Sequence, residues 1–200
     1  MPEPLLWVGV LLILGSSITL LLIRDWRVSL GVLALQYLGM FVLVNFHWPL
    51  GMSTAKLITG WMAAAILGMT QSGLPIFPSL ENSWPEGRGF RLFIASLVII
   101  AVASFAPSMQ TWLPGISLPV AYGGLLLIGL GMLQLGITIQ SLRVTIGLLT
   151  VLCGFEILYA SIENSILVAA LLSVVTLGLA LVGAYLILAD QYIPPAEDVE

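Results

Sequence analysis

The sequence predicts an all-α polytopic membrane protein with about seven transmembrane helices. Three observations carry this. The 200 residues are 60% hydrophobic and only 8% charged, with a mean hydropathy of +1.11, whereas a soluble domain carries roughly 25% charged residues. The apolar segments run to about 20 residues, enough to cross a ~30 Å hydrocarbon core as a helix, and the ~10-residue alternation of barrel strands is not seen. The arginines fall in alternate loops. Helices are the expected spanning element because each satisfies its own backbone polar groups inside the lipid.

The elements follow in order. The N-terminus "MPEPLLWVGVLLILG" lacks the basic region and small-residue cleavage site of a signal peptide, so it reads as a retained first span, about Pro4–Ile23. The second span is about Trp26–Phe46 and the third about Met52–Gln71. The proline-rich connection "SGLPIFPSLENSWPEGRG" follows. The fourth span reads as a shorter one, about Phe90–Ala106, ending at "PSMQTWLPGISLP". The fifth is about Val120–Ile139, the sixth about Arg143–Ser161 and the seventh about Ser165–Leu188, leaving an exposed acidic tail.

Arg24, Arg27, Arg88, Arg91 and Arg143 lie after spans one, three and five, which puts all three loops on one side of the membrane. By the positive-inside rule the N-terminus is outside and the tail cytoplasmic. Trp7, Trp26, Trp48 and Trp112 lie near span ends, where interfacial aromatics belong.

Several functions are excluded. The single Cys153 rules out an internal disulfide, and one His with one Cys makes neither a zinc, an iron–sulfur nor a haem-pair site. No cofactor, metal or nucleic acid is expected, since the net charge is −4 and no basic patch, nucleotide loop or catalytic triad is visible.

The chain also reads as an internal duplication. "RVSLGVLALQYLGMFVL" from Arg27 aligns with "RVTIGLLTVLCGFEILY" from Arg143, and "LITGWMAAAILG" from Leu57 with "LSVVTLGLALVG" from Leu172, at a nearly constant offset. The implied organisation is two parallel three-helix repeats joined by one helix. Residues 1–72 form the first repeat, 73–116 the connector with the fourth helix, 117–190 the second repeat and 191–200 the tail. The pairs Gly31/Gly39 and Gly123/Gly131 each share a helix face and are expected to permit close helix contacts.

Against this background Glu156 stands out. About 13 residues separate it from Arg143, roughly 20 Å at 1.5 Å per residue, so it lies inside the hydrocarbon beyond the midplane. A charge there costs at least ~2.5–3.5 kcal/mol. The carboxylate either relays protons or, as the neutral acid, serves as a hydrogen-bonded link between helices. Lys56 sits a few residues into the third span. It either snorkels to the interface or pairs with Glu156 in the same half of the membrane. The repeat places Met40 opposite Glu156 and Leu171 opposite Lys56, so the charges are not duplicated. Gln36 and Gln134 either extend a polar path or form simple interhelical hydrogen bonds. His47 reads as an interfacial anchor, Glu163 as a solvated loop residue and Cys153 as a small packing residue.

These residues carry a resemblance. The second repeat resembles the K subunit of respiratory complex I, which is also the C subunit of Mrp-type sodium/proton antiporters. That family has a basic cytoplasmic loop, then "GLE" inside its second span; here the counterpart is Gly154-Phe155-Glu156, followed by "VVTLGLALVG" from Val174. Over its whole length the chain resembles component E of hydrogenase-4-type complexes, whose extra N-terminal spans carry patterns like "WRVSLG" and "TAKLITGW". The resemblance implies a non-catalytic, membrane-arm subunit of a redox- or antiport-driven ion-pumping complex in a prokaryotic-type plasma membrane; the residues alone also leave open a structural membrane adaptor without a proton path or a freestanding small transporter. Its partners would be larger antiporter-like subunits, and Glu156 and Lys56 would belong to a lateral chain of buried charges. The family's second intramembrane glutamate falls on Val174 here.

Overall fold

A computed structural model describes residues 3–74, 87–113 and 115–192. The proline-rich stretch 75–86 and the acidic end of the tail, 193–200, lie outside the described residues.

Seven α-helices account for the described chain: α1 Glu3–Leu22, α2 Trp26–Val44, α3 Leu50–Ser72, α4 Arg88–Trp112, α5 Leu118–Ile137, α6 Ser141–Ile162 and α7 Ile166–Tyr192. Each is long and apolar enough to cross a membrane. The fold class is therefore all-α and polytopic, and no strand occurs among the described residues.

The fourth helix is the main departure from the sequence reading. It spans 25 residues and runs six positions past Ala106, through Pro107. A proline removes an N–H and so strips the carbonyl four residues earlier of its helical donor. That carbonyl belongs to Ala103, and the Tyr122 hydroxyl donates to it at 3.3 Å from α5. The freed group is thus satisfied by a neighbouring helix, which lets the helix continue.

The bundle is knit in a regular way. α1 packs on α2 and α5 on α6; α2 packs on α3 and α6 on α7. Between these triplets α1 meets α5, α2 meets α6 and α3 meets α7, while α4 lies against α5 and α1. Small residues set the closest crossings. A Cβ at Gly154 would lie 2.6 Å from the Gly124 carbonyl oxygen and 2.8 Å from Leu127 Cβ, so α5 and α6 touch backbone to backbone. Gly39, Gly123 and Gly131 make similarly close contacts, with Ile13, Leu43 and Val151 respectively. Gly31 does not: it is exposed, with open space where a Cβ would stand.

One end of the bundle gathers the arginines. Asp25 caps α2 by accepting from the Arg27 amide at 2.9 Å. Arg91 Nη1 donates to the Leu21 carbonyl at 3.2 Å, and Arg143 Nη2 to the Ile23 carbonyl at 2.9 Å. The sequence places both arginines at the boundary between a loop and the start of a span, without saying what they bond. They are buried in the first turns of α4 and α6. There they satisfy carbonyls left over at the end of α1 and oppose the negative end of its dipole. Ser141 donates to Asp190, tying α7 to α6 at the same end.

At the opposite end Trp48 is buried and its Nε1 donates to the Glu163 carbonyl at 3.0 Å. His47 beside it is half-buried, and burial holds its imidazole below the ordinary value of 6.5. Glu163 is exposed, as expected of a short loop.

Candidate functional site

The centre of interest is where α3, α6 and α7 meet. α6 carries Gly154, Phe155 and Glu156 in succession, and the 100° step between helical neighbours sends them three ways. Gly154 presses on α5, Phe155 is exposed and stacks over Tyr159 with centroids 6.3 Å apart, and Glu156 turns inward. On α3 the stripe Ser53, Lys56, Gly60, Ala63, Ala64 and Leu67 forms the buried face. Lys56 therefore points into the bundle rather than toward an interface.

Lys56 Nζ and Glu156 Oε1 form an ion pair, with their side chains 4% and 1% exposed. Snorkelling is thus replaced by pairing. The Thr176 hydroxyl donates to the Leu172 carbonyl at 2.8 Å on its own helix and shares that one proton with the same Glu156 oxygen at 3.5 Å, a long contact. A lone buried charge in hydrocarbon is strongly unfavourable, and the partner ammonium is what lets each group remain inside.

Beneath the pair sit Tyr37 and Cys153, 2% and 1% exposed and within electrostatic reach of the carboxylate. Tyr37 lies flat against Gly60: its ring occupies the space a Cβ there would need. A larger residue at position 60 would drive α2 from α3, one turn from Lys56. Cys153 is free and buried.

The other candidates separate. Gln134 Nε2 donates to the Arg143 carbonyl at 3.1 Å, an ordinary interhelical hydrogen bond near the arginine end. Gln36 makes no such bond: it is fully buried, and neither amide atom has a partner among the described residues. Met40, which the proposed duplication aligns with Glu156, is a buried core residue, and Leu171, which it aligns with Lys56, is exposed. Val174, where the resemblance would set a second glutamate, is 66% exposed on the outer face of α7. The polar group that α7 does bring to Glu156 is Thr176, two residues on. Sequence reasoning did not single it out, and its one signal was being the hydroxyl in "VVTLGLALVG".

No group of three or more His, Cys, Asp or Glu able to hold a metal occurs among the described residues. What the arrangement can do is hold one exchangeable proton on a carboxylate whose charge state is tied to a fixed ammonium. Fold and site together define the class: a seven-helix membrane protein with a buried lysine–glutamate pair between helices. No family model, curated protein or solved structure matches the chain.

Proposed function

We propose that this protein is a non-catalytic membrane subunit of a multi-subunit ion-pumping complex, of the complex I, membrane-hydrogenase or Mrp-antiporter kind. Glu156 takes up and releases a proton, and Lys56 is its electrostatic partner. The observation that carries the reading is the Lys56–Glu156 pair, held in the hydrocarbon where ionisable residues otherwise mark ion pathways. The resemblance of Gly154-Phe155-Glu156 and of the segment around Lys56 to those families supports it. So does the contact pattern, in which equivalent helices of the two proposed repeats meet as α1–α5, α2–α6 and α3–α7. The arginine end faces the cytoplasm in this reading. The partners are larger antiporter-like subunits seated on apolar helix faces such as those of α4 and α7.

The test is proton movement by the intact assembly in sealed vesicles, comparing wild type with Glu156→Gln. Glutamine keeps the shape but cannot ionise. The reading requires that the variant co-purifies with the same subunits and that proton movement collapses. Normal assembly with unchanged proton movement would leave the subunit as a structural adaptor.

A further inference from the structure

On α1 and α2, Ser17 and Gln36 are buried with polar side-chain atoms that have no hydrogen-bond partner among the described residues. Gln36 on α2 is 0% exposed, and both its Oε1 and Nε2 lack a partner among the described residues. Ser17 on α1 is 4% exposed, and its Oγ also lacks one. Ser16 beside it does not share the problem, because its hydroxyl donates to the Ile13 carbonyl at 2.9 Å.

The packing of α1 on α2 brings the two orphans to one level. A Cβ on Gly9 would lie 3.2 Å from Val42, and one on Gly39 would lie 2.9 Å from Ile13. The helices are therefore antiparallel, with Gly9 opposite Val42 and Ile13 opposite Gly39. One turn further toward the arginine end, Ser17 comes opposite the turn that holds Gln36. Residues three or four apart share a helix face. Ser17 follows Ile13 by one such step and Gln36 precedes Gly39 by another, so both lie along the α1–α2 seam. α5 meets this seam one turn away from the orphans, where Gly123 abuts Ile13 and Leu43.

An amide and a hydroxyl left dry inside a membrane protein lose their hydration with nothing in return. Buried waters typically answer such groups with about three hydrogen bonds each. Both orphans are neutral, so the seam suits water rather than a bare cation. We infer that Ser17 and Gln36 hold one or more water molecules in the α1–α2 seam. These waters form the step between the arginine end and the Lys56–Glu156 pair. The depths agree: Gln36 is about 15 Å along α2 and Glu156 about 22 Å along α6 from the arginine end, at 1.5 Å per residue. Tyr37, the neighbour of Gln36, already reaches the field of Glu156.

The water site stands on its own geometry, while its role as a step toward Glu156 rests on the proposed function. The test is silver-ion reactivity of the full-length protein in membrane vesicles, in a Cys153→Ala background. A cysteine reacts as its thiolate, which forms only where water reaches it. Ser17→Cys and Gln36→Cys are expected to react at least about tenfold faster than Leu67→Cys and Ile157→Cys, whose native side chains are as buried but apolar. Reaction of the seam variants at the rate of the apolar controls overturns the water site. Ser17→Cys is nearly isosteric and keeps the test alive should the variant at Gln36 fail to fold. The two ideas fail separately. Slow silver reaction with a collapse of proton movement in Glu156→Gln removes the water site and leaves the relay. Fast reaction with unaltered proton movement in Glu156→Gln keeps the site and removes its role as a step.

Discussion

Replacing Lys56 by Met keeps the length of the side chain and deletes its charge. Glu156, 1% exposed, is left with the long bond from Thr176. Breaking a buried ion pair by removing one partner is destabilising by about 3–5 kcal/mol, whereas an exposed pair is worth about 0–1. The low end applies here, because the stranded carboxylate can take a proton and become neutral. About 3 kcal/mol is expected, which is more than a hundredfold in the folding equilibrium at ~1.4 kcal/mol per decade. Glu156→Gln should cost less, about 1–2 kcal/mol. The stranded ammonium lies about 9 Å from the start of α3 and can lean toward the interface. The double variant Lys56→Met/Glu156→Gln removes both charges and is expected to lie within about 1 kcal/mol of wild type, because no buried charge is left unpaired. The singles and the double then differ from additivity by several kcal/mol. The assay is unfolding in mixed micelles titrated with SDS and followed by tryptophan fluorescence. Single variants each within about 1 kcal/mol of wild type, with coupling under about 0.5, would refute the claim that this is a tight interior pair.

Other outcomes follow from the same coordinates. Gly154→Val should cost about 1–3 kcal/mol, because its side chain would strike the Gly124 carbonyl and Leu127, whereas Gly15→Ala, with open space around it, should stay within about 0.5 in the same unfolding assay. Arg143→Leu removes the donor to the Ile23 carbonyl and is expected to lower stability by about 1–2 kcal/mol, read the same way. Val174→Glu places a carboxylate on the outer face of α7, so a double-mutant cycle with Lys56→Met should show coupling below about 0.5 kcal/mol. Because burial lowers the imidazole of His47, the unfolded chain binds a proton there more readily than the folded one. Stability should therefore fall as pH drops below about 6.5 and level off below the folded value, and His47→Gln should flatten that part of the profile.

Much of this was readable from residue order alone. Spans near 20 residues set the helix count, and helix rise from Arg143 placed Glu156 at the depth where Lys56 meets it. The misreadings share a cause: local sequence does not show what a neighbouring helix supplies. Pro107 and the polar residues after it looked like the end of a span, because Tyr122 reaching Ala103 is a tertiary contact. Arg91 and Arg143 could be placed at span starts but not given partners, because the carbonyls they cap belong to α1. Gln36 and Gln134 looked alike, yet one is bonded across helices and the other is stranded in a seam. Thr176 could not be ranked above Val174, since only the rotation of α7 against α6 decides which of them faces Glu156.

The most direct measurement compares Glu156→Gln with Glu156→Asp for proton movement by the assembled complex in sealed vesicles. Aspartate keeps an ionisable carboxyl one methylene short of Lys56; glutamine keeps the length and loses the proton. The account predicts that the aspartate variant retains part of the wild-type proton movement and the glutamine variant loses it. Glutamine matching wild type, or aspartate failing as completely as glutamine, contradicts a proton carried on Glu156.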